Sequence, residues 1–214
     1  MGLSVLHSSM GNLLVNQHET KIHRIMEKWI SGEYYIEGPD KDITSIQDLI
    51  KSCIKGYTPP SMNDLRIILN DDFEEYPNLN GYIENSELEP CLDGIKLHIW
   101  TSELSRLSDF GKLLKNNFHS IRIYYYLEDI TEGIYLTNDI NGEYFDEEVV
   151  LNYNDDFDSE VLRFLTKEDA LEYLGPILHI DKVNDEKLAK WNREHDDDYA
   201  LIYNIKRVKD ELTV

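Results

Sequence analysis

The sequence has little of several residue types that mark recognisable protein classes. Of 214 residues, 2 are cysteine and 6 are proline, and Lys and Arg number 21 against 42 Asp and Glu. Cys53 and Cys91 form no Cys-x-x-Cys pair and have no His cluster beside them, which argues against a disulfide framework or a structural zinc site. No apolar run approaches the length that spans a membrane. We therefore expect a cytoplasmic chain that makes no membrane contact.

The acidic excess is confined to one part of the chain. Residues 1–60 hold 7 acids and 6 bases, whereas residues 61–214 hold 35 acids and 15 bases. The forty residues from Ile123 to Leu162 contain twelve acids and no Lys or Arg. Such a region repels the phosphates of a nucleic acid, so we expect no direct nucleic-acid binding. Hydrophobic residues still make up 41% of the chain, which is enough to form a core.

The first part of the sequence has the periodicity of helices. Apolar residues recur at helical spacing from Ile22 to Ile30, and Gly32 interrupts the pattern. A second helix is predicted after the capping pair Thr44 and Gln47, and a third after Ser61.

Beyond about Gly81 the periodicity becomes that of strands. Asp93-Gly94 and Asn141-Gly142 are turn dipeptides between apolar runs, which predicts hairpins. Later helices are predicted after Thr166 and over Asp185–Glu194. Hairpins with separate helices are typical of an α+β fold with an antiparallel sheet backed by helices.

The change in periodicity suggests how the chain is divided. We predict a helical N-terminal part, residues 1–78, and an acidic α+β sheet domain, residues 79–214. A single compact unit is the alternative.

A series of short motifs accompanies the predicted strands. They are Gly81-Tyr82, Leu97-His98-Ile99-Trp100-Thr101, Ile123-Tyr124-Tyr125-Tyr126-Leu127-Glu128, and Gly133-Ile134-Tyr135-Leu136-Thr137-Asn138-Asp139 running into Gly142-Glu143-Tyr144-Phe145. Residues 81–151, about a third of the chain, resemble the YubB ferredoxin-like domain family of bacterial plasmids, phages and related mobile elements. The resemblance implies a ferredoxin-like sheet backed by helices, and it brings no reaction or catalytic residue. The sequence differs from the family in lacking its short opening strand, because residues 1–60 are predicted to be helical.

Patterns that come close to metal-binding motifs do not meet their requirements. His18 and His23 are five positions apart, whereas the zinc-protease helix needs four. Residues 137–148 match several positions of a calcium loop, but Thr137 occupies the first position and the flanks are predicted strands. A nuclease using the local carboxylates would lack bases to hold a phosphate backbone. We therefore expect no metal, no cofactor and no catalytic site, with an unrecognised metal-dependent enzyme as the less favoured alternative.

The predicted partner-binding surface combines tyrosines with carboxylates. On an alternating strand, Tyr125 belongs to the core face, while Tyr124 and Tyr126 on the opposite face would act as interface anchors. The predicted contact charges are Glu128, Asp129, Glu132, Asp139, Glu143, Asp146, Glu147, Glu148, Asp155, Asp156 and Asp158.

The sequence is compatible with two functions. In the first, a mobile-element protein presents a nucleic-acid-like negative surface and inhibits or regulates a basic nucleic-acid-binding protein, as anti-restriction or anti-CRISPR proteins do. In the second, an accessory or self-assembling domain, such as a homodimer, uses its acidity for solubility alone. Rising salt should weaken a charge-based complex steeply and an apolar association little.

Overall fold

The computed structural model describes residues 30–54, 58–69, 79–84, 89–91, 94–154, 159–195 and 198–213. They form an α+β fold, which confirms the predicted fold class. The strands are β1 (Ile30–Glu37), β2 (Gly81–Ile83), β3 (Glu89–Cys91), β4 (Gly94–Thr101), β5 (Arg122–Asp129), β6 (Ile134–Thr137), β7 (Val149–Asn154), β8 (Ser159–Phe164), β9 (Tyr199–Asn204) and β10 (Lys206–Arg207). The helices are α1 (Asp40–Ser52), α2 (Met62–Ile68), α3 (Leu104–Asn117), α4 (Lys167–Ile177) and α5 (Asp185–Glu194).

Seven strands form a large sheet in the order β10-β6-β5-β1-β4-β2, and β3 also pairs with β4. All pairs are antiparallel except that between β10 and β6. Helices α1 and α2 connect β1 to β2, and α3 connects β4 to β5. This succession, with β1 between β5 and β4, is compatible with the ferredoxin-like arrangement expected.

The strand β1 corrects the prediction that residues 1–60 are helical. Alternate residues of Ile30–Glu37 are buried, and the strand pairs with β4 and β5 over its length. A Cβ atom at Gly32 would lie 3.0 Å from Leu127 and 3.2 Å from Leu107, so this glycine allows close packing and does not end a helix. The predicted helix from Ile22 otherwise lies outside the described residues. Because β1 is central in the sheet, the part of residues 1–78 that contains it is integral to the sheet.

Helices cover one face of the large sheet. Buried side chains of α1 and α3 pack there against Tyr34, Ile36 and the alternating residues of β4 and β5. Helix α1 begins at Asp40, before the predicted capping pair Thr44 and Gln47. Ser61 caps α2, as predicted, by accepting a hydrogen bond from the Asn63 N–H at 3.2 Å.

A second, three-stranded sheet in the order β8-β7-β9 covers part of the opposite face. Its outer face packs against α4 and α5. The predicted capping box of Thr166 and Asp169 is present at the start of α4, and α5 has the predicted bounds Asp185–Glu194. The described elements are therefore stacked as helices, large sheet, small sheet and helices.

The two turn dipeptides have different outcomes. The first hairpin was predicted between residues 81–83 and 95–100, and the corresponding strands β2 and β4 are indeed antiparallel partners. Strand β3, which was not predicted, also pairs with β4, and Asp93 of the turn dipeptide lies outside the described residues. The second is wrong, because β6 belongs to the large sheet and β7 to the small one. The residues between them, 138–148, cross from one sheet to the other; we refer to them as the acidic connection.

Candidate functional site

The acidic connection is anchored to the large sheet by the side chains at its start. The Thr137 hydroxyl donates a hydrogen bond to the Tyr125 carbonyl at 2.6 Å. The Asn138 side chain accepts one from the Tyr125 N–H at 2.7 Å and donates one to the Ile123 carbonyl at 2.9 Å. Side chains thus continue the pairing with β5 beyond the last residue of β6, and this fixes where the connection leaves the sheet.

Asp139 organises the inside of the connection. Its Oδ2 accepts hydrogen bonds from the backbone N–H groups of Tyr144 at 2.7 Å and Phe145 at 3.0 Å. Burial acts to raise the pKa of Asp139, but these N–H groups outweigh burial and hold the pKa below its ordinary value. Gly142 has φ +68°, and a Cβ atom there would lie 3.3 Å from the Asp146 Cα, so the turn requires glycine.

Arg207 on β10 closes the connection from the other side. Its guanidinium donates hydrogen bonds to the carbonyls of Asp139, of Phe145 at 3.1 Å and of Glu147 at 3.3 Å. It also binds the Glu148 carboxylate at 3.0 Å. This arginine is therefore occupied by internal contacts with the connection, although the sequence places it in the compact basic cluster Lys206, Arg207 and Lys209.

Tyr144 fastens the connection to the face of the large sheet. Its ring stacks on Tyr35, with 3.8 Å between ring centroids, and lies 4.6 Å from the Tyr124 ring. Its hydroxyl donates a hydrogen bond to Glu37, which also forms an ion pair with Arg122. Burial and then the Glu37 carboxylate raise the pKa of Tyr144, so the hydroxyl stays protonated and remains a donor.

The connection holds several carboxylates at the surface. Glu143, Asp146 and Glu148 are exposed, and Glu132 is exposed in the turn between β5 and β6. Glu147 is half-buried, 3.8 Å from the Arg163 guanidinium. These positions retain the exposure that a contact charge needs.

Three predicted contact residues are instead buried inside the chain. Tyr124 is 7% exposed and Tyr126 is 2% exposed, and both pack in the cluster between the two sheets. Their predicted role as anchors on a partner is corrected, because they join the large sheet to the small one. Asp139 is 1% exposed and is equally unavailable as a contact charge.

The remaining predicted charges divide into half-buried and undescribed residues. Glu128 accepts a hydrogen bond from the Tyr126 hydroxyl at 3.3 Å, and Asp129 accepts one from the Glu132 N–H at 3.1 Å within the turn. Burial raises the pKa of Glu128 despite the opposing effect of nearby Arg163. Asp155, Asp156 and Asp158 lie outside the described residues.

A mixed charge cluster beside the connection was missed by the sequence reasoning. Glu33 on β1 binds Lys96 at 2.6 Å and Arg163 at 2.8 Å, and the Arg163 guanidinium lies 4.6 Å from the centre of the Tyr126 ring. Burial acts to raise the pKa of Glu33, but the two cations outweigh burial and hold the pKa below its ordinary value. Glu33, Lys96 and Arg163 line a cavity of about 290 Å³, together with Tyr35, Glu143 and Glu147. The feature of the sequence that could have indicated this cluster is Arg163, the first basic residue after the acidic stretch.

The described residues also bear on metal and membrane binding. They contain no group of three His, Cys, Asp or Glu side chains placed to hold a metal ion. The stretch that comes close to a calcium loop is flanked by strands, as predicted, and the Asp139 carboxylate within it accepts backbone hydrogen bonds. None of the helices in the described ranges is long and apolar enough to cross a membrane.

Comparisons with protein-family models, with curated proteins and with solved structures find no match to this chain. The resemblance to the YubB family therefore stays a prediction. Function has to be inferred from the charge and geometry of the acidic connection.

Proposed function

We propose that this chain is a non-catalytic acidic binding protein of a phage or related mobile element. It inhibits or regulates a basic nucleic-acid-handling protein in the cytoplasm by presenting a nucleic-acid-like negative surface, in the manner of an anti-restriction or anti-CRISPR protein. The observation that supports this best is the acidic connection, which exposes Glu143, Asp146 and Glu148 from a segment fixed at both ends.

The charge balance favours a basic partner over a nucleic acid. The chain has a formal net charge of −21, and Glu143 and Asp146 are exposed carboxylates of the connection. Arg207 is held by carbonyls of the connection and by Glu148, and Arg163 is held by Glu33 and lies 3.8 Å from Glu147. The surface therefore attracts a cationic groove and repels a polyanion.

The rigidity of the connection favours binding as its role. Asp139, Arg207 and Tyr144 hold its backbone through hydrogen bonds and ring stacking before any partner is present. A preformed surface loses less conformational freedom on association than a mobile loop does. A carboxylate that served solubility alone would not need such bracing.

A specific observation also favours self-assembly as a second candidate. Ile67 and Ile68 on α2 are 63% and 49% exposed. Exposed isoleucines side by side are suited to an apolar contact between two copies of the chain.

Capture from a nuclease-treated lysate of the organism that carries this sequence, washed at graded salt, tests the proposal. The bait is the full chain, the charge variant carries Glu143→Lys and Asp146→Lys, and the matched control carries Asp48→Lys and Glu186→Lys at exposed positions elsewhere. We expect one basic nucleic-acid-binding protein that the control retains, that the charge variant loses, and that leaves the bait as salt rises. Equal capture by both variants would contradict the proposal, and a salt-insensitive dimer would favour self-assembly.

A further inference from the structure

Helix α4 and the segment that follows it line an open groove of about 730 Å³ on the outer side of the small sheet. Its apolar lining residues, called the floor below, are Leu171, Gly175, Pro176, Ile180 and Val183. Leu171, Ile180 and Val183 pack against the core beneath the groove, whereas Pro176 is exposed. This volume is in the range of cavities that take a ligand or several side chains of a peptide.

The rim of the groove is acidic. Glu168 and Glu172 lie one turn apart on α4 and are exposed, and Asp181 is exposed on the opposite side. With Lys182, the lining carries three carboxylates and one ammonium group, a net charge of −2 when His179 is neutral. A positively charged occupant therefore gains from the rim, and an anionic one is repelled.

The wall opposite α4 is fixed in place. The Lys187 ammonium group donates a hydrogen bond to the Lys182 carbonyl at 2.9 Å, and the Asn184 side chain accepts one from the Lys187 N–H at 2.9 Å. These bonds tie residues 181–184 to the first turn of α5. The groove is therefore present before any occupant arrives.

The acidic connection is bonded to the strand that precedes α4. The Glu148 N–H donates a hydrogen bond to the Phe164 carbonyl at 2.9 Å, and Phe164 lies two residues before Thr166, the N-cap of α4. The end of the connection is therefore bonded to the strand that leads into the helix lining the groove. The connection itself exposes one large apolar side chain, Ile140, whereas Tyr124 and Tyr126 are buried.

We propose that this groove binds a segment of the basic partner in which Lys or Arg side chains alternate with aliphatic ones. The aliphatic side chains bury against the floor, and the cationic groups pair with Glu168, Glu172 and Asp181. The inference rests on the proposed function, since it names the kind of segment that the same partner would insert.

Binding of labelled synthetic peptides to the full chain tests the groove. The probe is a peptide of alternating lysine and leucine, and the comparison peptides replace either leucine by glutamine or lysine by glutamate. We expect the lysine-leucine peptide to bind at least about tenfold more tightly than the lysine-glutamine peptide, and the glutamate-leucine peptide not to bind. Equal binding of the two lysine peptides would overturn the proposal, because it would reveal charge attraction without an apolar site.

Two exposed substitutions locate the binding. Glu172→Lys should weaken the lysine-leucine peptide about five- to tenfold, while Asp48→Lys, the same charge change on α1, should weaken it less than twofold. Equal loss of peptide binding in the two variants would overturn the groove as the binding site.

The peptide and capture experiments also separate the two proposals. If Glu172→Lys has no effect while Glu143→Lys with Asp146→Lys abolishes capture of the partner, the groove is wrong and the proposed function stands. If Glu172→Lys weakens the peptide but no variant affects the partner, the proposed function fails and the groove remains.

Discussion

The two faces of the large sheet are built from different chemistry. The face under α1, α2 and α3 is almost wholly apolar, with Tyr34 and Phe110 stacked at its centre. The face toward the small sheet carries Tyr35, Tyr124, Tyr126 and Tyr135 together with a cluster of ion pairs. Alternating strands supply both faces: β1 and β5 each contribute side chains to the two clusters.

The difference assigns separate tasks to the two faces. Burial of apolar side chains under the helices provides most of the folding free energy of the large sheet. Hydrogen bonds and ion pairs on the other face add less free energy but fix positions, because they depend on direction and distance. The second face is therefore suited to holding the acidic connection in one conformation.

The largest loss of stability is expected from a substitution on the helix-covered face of the large sheet. Phe110→Ala should lower the free energy of unfolding by about 3 to 5 kcal/mol, because the substitution leaves a cavity against Tyr34. Chemical denaturation of the two proteins measures this. The Ile67→Ala control, at a side chain that is 63% exposed, should change stability by less than about 0.5 kcal/mol. A loss of less than about 1 kcal/mol from Phe110→Ala would mean that this face does not dominate.

The next effect concerns the buried carboxylate of the connection. Asp139→Ala should cost about 2 to 3 kcal/mol, because it leaves the N–H groups of Tyr144 and Phe145 without their acceptor. Asp139→Asn keeps one acceptor oxygen and should cost less. Denaturation midpoints compare the three proteins, and a neutral Asp139→Ala would show that the connection is not held this way.

The same residue predicts a pH dependence. The pKa of Asp139 is lower in the folded chain than in the unfolded one, so its charge stabilises the fold above about pH 4. That contribution is lost as the pH falls through the folded-state value. The stability difference between the wild type and Asp139→Asn should therefore shrink in acid, and a difference that grows there would have the wrong sign.

A smaller effect is expected from the ion pair between the sheets. Removing Arg163 and Glu33 separately and together, as Arg163→Met and Glu33→Gln, should reveal a coupling of about 1 to 2 kcal/mol. The value lies between those of exposed and buried pairs, because the two side chains are partly exposed. Additive losses in the double-mutant cycle would show that the pair does not link the sheets.

The smallest expected change in stability is an increase, and it concerns Glu128. Burial raises the pKa of Glu128, so its ionisation lowers the stability of the fold once the pH exceeds the unfolded-state value. Glu128→Gln should therefore stabilise the chain at neutral pH by less than about 1 kcal/mol and have no such effect in acid. Thermal unfolding at both pH values measures this, with the exposed Glu132→Gln as the control. Destabilisation at neutral pH would contradict the assignment.

Local patterns predicted the elements whose signals lie within one turn or one strand. The Thr166 and Asp169 cap, the bounds of α5 and the inward position of Tyr125 follow from neighbouring residues alone. The strand β1 was missed because Gly32 was interpreted as the stop of a helix ending at Ile30, and no strand was assigned to the residues after it. Glycine suits position 32 because Leu107 and Leu127, which are distant in sequence, pack close to its backbone.

The candidate site depended on contacts that no local pattern contains. Asn141-Gly142 does form a turn, but the turn lies in a crossing because β6 and β7 pair in different sheets, and Arg207, more than sixty positions away, holds that crossing. Likewise, Tyr126 is buried against the small sheet, whose strands β8 and β9 come later in the chain. The acidity was visible in the sequence, whereas the division between exposed and buried carboxylates was not.

The most direct test of the central claim is competition with nucleic acid for the captured partner. Labelled DNA bound to that protein is titrated with the wild-type chain, with the Glu143→Lys and Asp146→Lys variant, and with the Asp48→Lys and Glu186→Lys control. The account predicts that the wild type and the control displace the DNA alike, while the variant needs at least about tenfold more protein. Equal displacement by all three, or none by the wild type, would contradict the claim that the acidic connection takes the place of nucleic acid.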